Sequence, residues 1–287
     1  VIELTSSTRR RVVDRAATAL LAAMVGLALL PLVAVVGFTI ARGAARFSPA
    51  FLWHSMKGVG PLDSYGGVAH AMLGTVEQVL IAAVIAVPFG LLVAVYLAEH
   101  DAGRLAGGVR FAVEVMTGIP SIVAGLFLYA AWVLGLHQGY SGMAAGAALA
   151  ILMLPVVIRS SEEMLRLVPN DLREASFALG VARWRTTFSV VLPAASAGIT
   201  TAVTLAVARV TGETAPLLLT AFGTDVINRD PMHGPQSALP LFVFTQAGSA
   251  SRFAVQRAWA GALTLLLVVL LLTVVARLAT RRNRLTP

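Results

Sequence analysis

Six apolar runs, five of them separated from the next by a charged or turn-rich stretch, constrain this chain more than any other feature. They cover residues 16–40, 72–98, 111–136, 143–158, 194–222 and 258–276. A helix crosses the hydrocarbon core of a bilayer with about 20 apolar residues, and backbone there must satisfy its own hydrogen bonds. The runs therefore predict an all-α membrane protein of six spanning helices. The fourth run is short and carries Pro155, so its ends are the least defined. Composition agrees: 57% of residues are hydrophobic and 13% charged, where soluble domains carry roughly 25% charged residues. Cysteine is absent, which excludes disulfides and thiolate metal sites.

A net charge of +8 invites a nucleic-acid reading, but in a chain this apolar the placement of charge matters more. With both termini assigned to the cytoplasm, the inside receives fifteen arginines: 9, 10, 11, 15, 104, 110, 159, 166, 173, 183, 185, 277, 281, 282 and 284. The outside receives six basic residues, Arg42, Arg46, Lys57, Arg229, Arg252 and Arg257, and Arg209 stays within a span. That bias follows the positive-inside rule, so the charge sets topology and nucleic acid is not an expected partner. The first run follows Arg9–Arg11 like a signal peptide, yet it exceeds the usual 7–15-residue apolar core of one. It is expected to be a retained membrane helix.

The chain reads as a single permease-like domain over 1–287, its core at about 72–280, with a polar loop at 159–193. Two further loops, 41–71 and 223–257, face outward, each a connector or a surface for a partner. In the second, residues 237–244 are too short to span and suggest a helix lying at the interface.

Within 159–193, the island D-L-R-E-A-S-F-A-L-G-V-A-R-W-R-T-T-F-S-V-V-L-P from Asp171 to Pro193 is too polar for hydrocarbon. Asn170 or Asp171 is placed to cap a short helix, with Glu174 three residues after Asp171. Leu172, Ala175 and Leu179 fall on one face, and Gly180 supplies a stop that tolerates positive φ. Physics alone leaves two readings open: an anchor between spans four and five, or a docking helix for another protein.

The pattern of Glu174-Ala175-Ser176, Leu179-Gly180 and Leu192-Pro193 resembles the cytoplasmic coupling loop of ATP-binding-cassette importers, with Ser176 in place of the usual second alanine. The resemblance implies that Glu174, Ala175, Leu179 and Gly180 contact a nucleotide-binding subunit. That subunit is a separate chain. A P-loop needs G-x-x-x-x-G-K-[ST], and the single lysine, Lys57, is followed by Gly58 in an outward loop. No cofactor is expected on this chain, ATP and magnesium being held by the ATPase.

A second motif lies in the fifth run: Ala208-Arg209-Val-Thr-Gly212-Glu213-Thr-Ala-Pro216-Leu-Leu. Arg209 is expected near mid-span, where an arginine costs about 2.5–3.5 kcal/mol on insertion scales, with Glu213 one turn on along the same face. Either the two form a structural ion pair, or Arg209 meets an anion whose oxygens match its guanidinium fork. The run resembles the A-type permease subunit of phosphate-specific importers. So do Gly74-Thr75, Tyr96-Leu-Ala-Glu99-His, Thr117-Gly-Ile-Pro-Ser-Ile-Val-Ala-Gly125 and Arg159-Ser-Ser-Glu-Glu-Met-Leu-Arg-Leu-Val-Pro169. The match covers about 74–221 and is weak over the first span and the last outward loop.

The resemblance implies a type I importer permease in the bacterial inner membrane. It pairs with a non-identical C-type permease, two ATP-binding subunits and a phosphate-binding protein, with Arg209, Glu213 and Arg159 along the path of phosphate. Arg159 equally suits a topology-setting arginine. Molybdate or sulfate import, or a non-transporting scaffold or signalling subunit, are the alternatives. A membrane zinc protease is excluded, because His54, His70, His100, His137 and His233 form no H-E-x-x-H. Gly118-Ile-Pro120-Ser121 predicts a break in the third span, either a plain packing kink or one where Ser121 caps a resumed half whose N-terminus favours anions. Glu77 and Glu114 either pair with an arginine or line the path.

Overall fold

A computed structural model describes residues 8–60, 62–100 and 103–282. Arg284, counted above in the charge bias, lies outside them, as do the side chains of Arg9, Arg277, Arg281 and Arg282. The described residues are helical apart from loops and one isolated bridge, Phe222 to Gln236.

Four helices are continuous and long enough to span: α1 (Thr8–Gly43), α3 (Ala69–Glu99), α6 (Gly142–Arg166) and α12 (Arg252–Arg282). A short α2 (Pro49–Trp53) lies between the first two. A fifth span begins at α8 (Arg183–Thr186), passes through one π-helical stretch and continues as α9 (Leu192–Thr211). The sixth is broken: α4 (Arg104–Gly118) meets α5 (Ser121–Leu128) at a 100° bend, and α5 runs on as a π-helix to Gly135.

The broken segment must still carry the chain across, because its neighbours are parallel. Gln78 and Ile81 of α3 lie against Gly146 of α6, Gly90 against Val157, and Ala94 packs in one cluster with Leu165. Position rises together along both helices, so the chain between them has to return through the membrane thickness. Six crossings follow, and the start of α1 and the end of α12 lie at the same end of the bundle, here the terminal end. The opposite end is the distal end.

Small residues make this core. Gly90, Ala82 and Ala86 on α3 face Ala145, Gly146 and Leu149 on α6. Without a hydrophobic difference between lipid and side chain, membrane helices gain by such close backbone approach. The expected fourth run, 143–158, is longer than hydropathy suggested. Ser141 caps α6 by accepting from Ala144 N at 3.2 Å, and the helix continues through Pro155 to Arg166.

Two expectations fail here. The 237–244 segment is not an interfacial helix: α11 (Leu239–Ala247) buries Leu239, Pro240, Leu241 and Phe242 in the bundle. Leu239 N donates to Thr75 Oγ1 at 2.7 Å, and Gln78 donates to Gln236 and to Ser237 O. Gly74 leaves room for the Ser237 carbonyl, which any side chain there would strike. The second failure is the end of the fifth span. It stops at Thr211 instead of 222, and a separate α10 (Ala215–Thr220) follows.

Candidate functional site

The coupling motif forms α7 (Asn170–Ala178) at the terminal end. Pro169 precedes the helix and no side chain caps it, so the expected cap from Asn170 or Asp171 is absent. A proline there pre-sets the entry geometry instead. The stop is as expected: Gly180 has φ of 76°, Gly180 N donates to Phe177 O, and Val181 N donates to Ser176 O. Those two bonds are the Schellman arrangement.

The predicted face is real and unpartnered within the chain. Leu172, Ala175 and Leu179 are exposed, Leu179 to 84%, and so is Glu174. Ser176 points the other way, buried and hydrogen-bonded to Thr186 Oγ1 at 2.8 Å, which ties α7 to α8. Arg173, which the sequence reading passed over, fixes the helix to the bundle. It pairs with Glu99 at the end of α3 and donates to Leu165 O at the end of α6, 3.2 Å away. A rigidly held helix thus presents an apolar, acid-flanked face to whatever docks there.

Arg209 and Glu213 lie at the far end of α9, away from α7. Arg209 occupies the last turn of α9 rather than mid-span, and Glu213 lies past the C-cap residue Gly212, off the helix. The physical reason is Pro216: its ring displaces the carbonyl of Gly212, four residues earlier, and starts α10. The two residues form no ion pair, and Arg209 is exposed on this chain without a partner among the described residues. The closed-pair reading of Arg209 is not what the structure holds.

This break meets the other one. Gly125 of α5 abuts Pro216 of α10 so closely that a Cβ on Gly125 would fall 2.6 Å from Pro216 Cα. Two interrupted helices therefore touch, beside an unpaired arginine. Non-helical backbone at membrane depth persists where protein buries it or water lines it. Ser121 does not cap α5; Pro120 takes the cap position and no side chain bonds there.

Arg159 belongs to a different cluster. Gly198 of α9 lies against Met164 of antiparallel α6, which puts Arg159 level with Val203 and about 9 Å along the axis from Arg209. Arg159 pairs with Glu163 at 3.6 Å, both side chains well exposed. They line a cavity of about 330 Å³ with Arg110, Glu114, Glu162 and Arg166. Glu162 bridges two arginines, Arg110 Nε at 3.0 Å and Arg166 Nη2 at 2.9 Å. Arg110 also donates to Leu97 O, which fastens α4 to α3. Glu114 lines this cavity. Glu77 accepts from Gln236 Nε2 and not from an arginine.

No group of three or more metal-ligating side chains occurs among the described residues. The arrangement is an exposed helix at the terminal end and, apart from it, an unpaired arginine beside two helix breaks. A family model described as the binding-protein-dependent transport system inner membrane component matches residues 86–285.

The chain belongs to that family.

Relatives extend the likeness beyond the motif-bearing middle. The chain is 44% identical over 282 residues to the phosphate transport system permease protein PstA 1 of Mycobacterium tuberculosis, covering 96% of this chain and 92% of that one. To the PstA of Mycobacterium leprae it is 42% identical over 264 residues, with 92% and 87% covered. Among solved structures, a chain of the MetNI methionine ABC transporter in an inward-facing form superposes with a TM-score of 0.62 at 20% identity. That match covers 83% of this chain and 99% of the other, and it establishes the shared permease fold. As a family member, the chain is a multi-pass inner-membrane protein.

Proposed function

We propose that this chain is one membrane half of an ATP-driven importer of inorganic phosphate. The observation that carries the reading is the 44% identity, sustained over 96% of the chain, to a phosphate transport system permease. The second half is a non-identical C-type permease, a phosphate-binding protein delivers the ion, and two ATP-binding subunits drive the cycle. ATP and magnesium sit on those subunits, and this chain holds no cofactor. Both termini face the cytoplasm, in keeping with the arginine bias, so the terminal end is cytoplasmic and the distal end receives substrate.

In this reading Glu174, Ala175, Leu179 and Gly180 form the surface seated in the ATPase groove. Arg173 and Ser176 make that surface rigid, so that closure of the ATPases moves α3, α6 and α9 as a body. Arg209 donates its fork to phosphate as it passes between the subunits, and Glu213 beside it keeps the anion from being held. Arg159, nearer the cytoplasmic end, meets it on the way out while Glu163 lets go. The unpaired state of Arg209 supports the role: a guanidinium at a helix break needs a partner, and a passing anion provides one.

Radiolabelled phosphate uptake at micromolar phosphate tests this in bacteria lacking their own A-type permease and supplied with the cognate complex. Wild type is expected to restore uptake, and Arg209→Ala at equal membrane abundance to lose at least tenfold. Molybdate or sulfate transported in place of phosphate would overturn the substrate. Assembly without uptake of any of the three would favour a scaffold.

A further inference from the structure

The distal end holds a second charged site, remote from the helix breaks. Where α1 ends, the chain turns through Arg46 and Ser48 into α2, and His54, Ser55, Lys57, Val59, Tyr65 and Gly66 lie over it. Together they enclose a cavity of about 640 Å³. Its ionisable lining is Arg46, His54, Lys57 and the phenol of Tyr65, with Ser48 and Ser55 among the polar groups and no carboxylate.

The oxygen acceptors nearby hold the loop itself together, and the Asp63 carboxylate acts on Tyr65. Asp63 Oδ2 accepts from Gly60 N at 2.7 Å, Ser48 Oγ accepts from Phe51 N, and Ser55 Oγ accepts from Lys57 N. Tyr65 OH donates to Gly58 O. Arg46 Nε is buried and has no hydrogen-bond acceptor among the described residues. The like-charged Arg257 lies within electrostatic reach of it and of Asp63 and Asp225, and is itself committed to Gln246, Asp63 O and Tyr65 O. A buried donor left without a partner is destabilising, so the position favours an acceptor from outside the chain. Burial also lowers the pKa of the Arg46 guanidinium from its ordinary value. His54 Nδ1 is held by Ala50 O at 2.7 Å, leaving its other ring nitrogen free.

We propose that this cavity is a phosphoryl-oxyanion site in which the Arg46 fork and the Lys57 ammonium hold a tetrahedral anion. Arginine suits adjacent oxygens bidentately, and lysine adds a mobile point charge. The anion is either free inorganic phosphate or the phosphate of an acidic phospholipid headgroup. Phe47, Phe51 and Val59 in the same lining give apolar support to the latter. The site rests on its own lining and not on which anion the complex transports.

The test uses the assembled complex in nanodiscs, wild type, Lys57→Gln, and Arg46→Gln with Lys57→Gln. Lys57 is exposed, so its single variant leaves packing intact, and Arg46→Lys preserves charge. Equilibrium dialysis with labelled inorganic phosphate in phosphatidylcholine discs, without the binding protein, reads the free ion, with Arg209→Gln and Arg159→Gln in every sample so that the arginines of the path contribute nothing. Native mass spectrometry of complexes from mixed phosphatidylcholine and phosphatidylglycerol discs reads the lipid. Saturable phosphate binding that falls at least tenfold in the double variant identifies the free ion. Retained phosphatidylglycerol, lost in the double variant and kept in Arg46→Lys, identifies the headgroup. No binding of either, or equal binding in the double variant, overturns the site, whatever the uptake assay reports.

Discussion

Arg173 carries a role that local sequence pattern does not announce. Its partner Glu99 is 74 positions away, and the two meet because α3 and α6 end at the same level and α7 turns back across both. Half-buried, the pair fixes the docking helix to the core, while the second bond to Leu165 O sets its angle. Arg173→Ala leaves Glu99 unpaired and frees α7 from the bundle, at a cost of about 1–3 kcal/mol locally. The expected outcome is a complex that assembles and hydrolyses ATP but imports several-fold more slowly per ATP. Exchanging the charges, Arg173→Glu with Glu99→Arg, should recover part of the coupling. Measuring uptake and hydrolysis in the same proteoliposomes decides it, since an equal fall in both would make the pair merely structural. Spacing made the exposed face of Leu172, Ala175 and Leu179 and the stop at Gly180 legible, whereas the contact role of Glu174, Ala175, Leu179 and Gly180 came from the resemblance. Arg173 was not legible, because a topology-setting arginine and a clamping arginine look identical in one dimension.

At the scale of elements, the fold was legible where apolar runs ended in charge and illegible where they continued. Residues 212–222 stay apolar after Thr211, so hydropathy extended the fifth span and placed Arg209 at its middle. The missed signal was Gly212 paired with Pro216. Proline alone does not decide, because Pro31, Pro88 and Pro155 sit inside continuous helices. The residues four positions before those prolines are Leu27, Val84 and Ile151, whereas Pro216 displaces the carbonyl of a glycine that already ends the helix. The 118–121 break was read correctly, since Pro120 also pushes Ile119 out of the helical region. The contact between the two breaks depends on Gly125. Gly125→Ala is expected to force α5 from α10, costing about 1–3 kcal/mol by overpacking, with reduced abundance in pulse-chase and weaker uptake than abundance explains. At the other end, Gly180→Ala puts a Cβ into a φ of 76°, which costs about 1–2 kcal/mol. Its last turn should fray, lowering ATPase co-purification while the membrane abundance of the chain holds. Unchanged co-purification would mean that the Schellman turn is not needed for docking.

Across the whole molecule, burial is distributed so that one face of α9 is left to something outside the chain. Ala202, Ala206 and Val210 form its buried row against α6, while Thr201, Leu205 and Arg209 form an exposed row at i, i+4 and i+8. Thr200 and Thr201 donate to the carbonyls of Ser196 and Ala197, and Thr204 to Thr200, so their hydroxyl protons are already satisfied. Oxygen lone pairs then remain turned outward, which suits a surface wetted in part of the cycle better than one set in lipid. The α1 helix shows the contrast, its apolar window wholly unburied and without such hydroxyls along Leu27–Leu30. With no native cysteine to remove, one introduced thiol reports on either surface. Thr201→Cys in the assembled complex is expected to react with a membrane-impermeant methanethiosulfonate at a rate that changes when ATP or the binding protein is added. Leu27→Cys is expected to stay unreactive throughout. Silence at Thr201 in every state, in a complex that still transports, would move the path to another face and leave Arg209 without the anion argued for it.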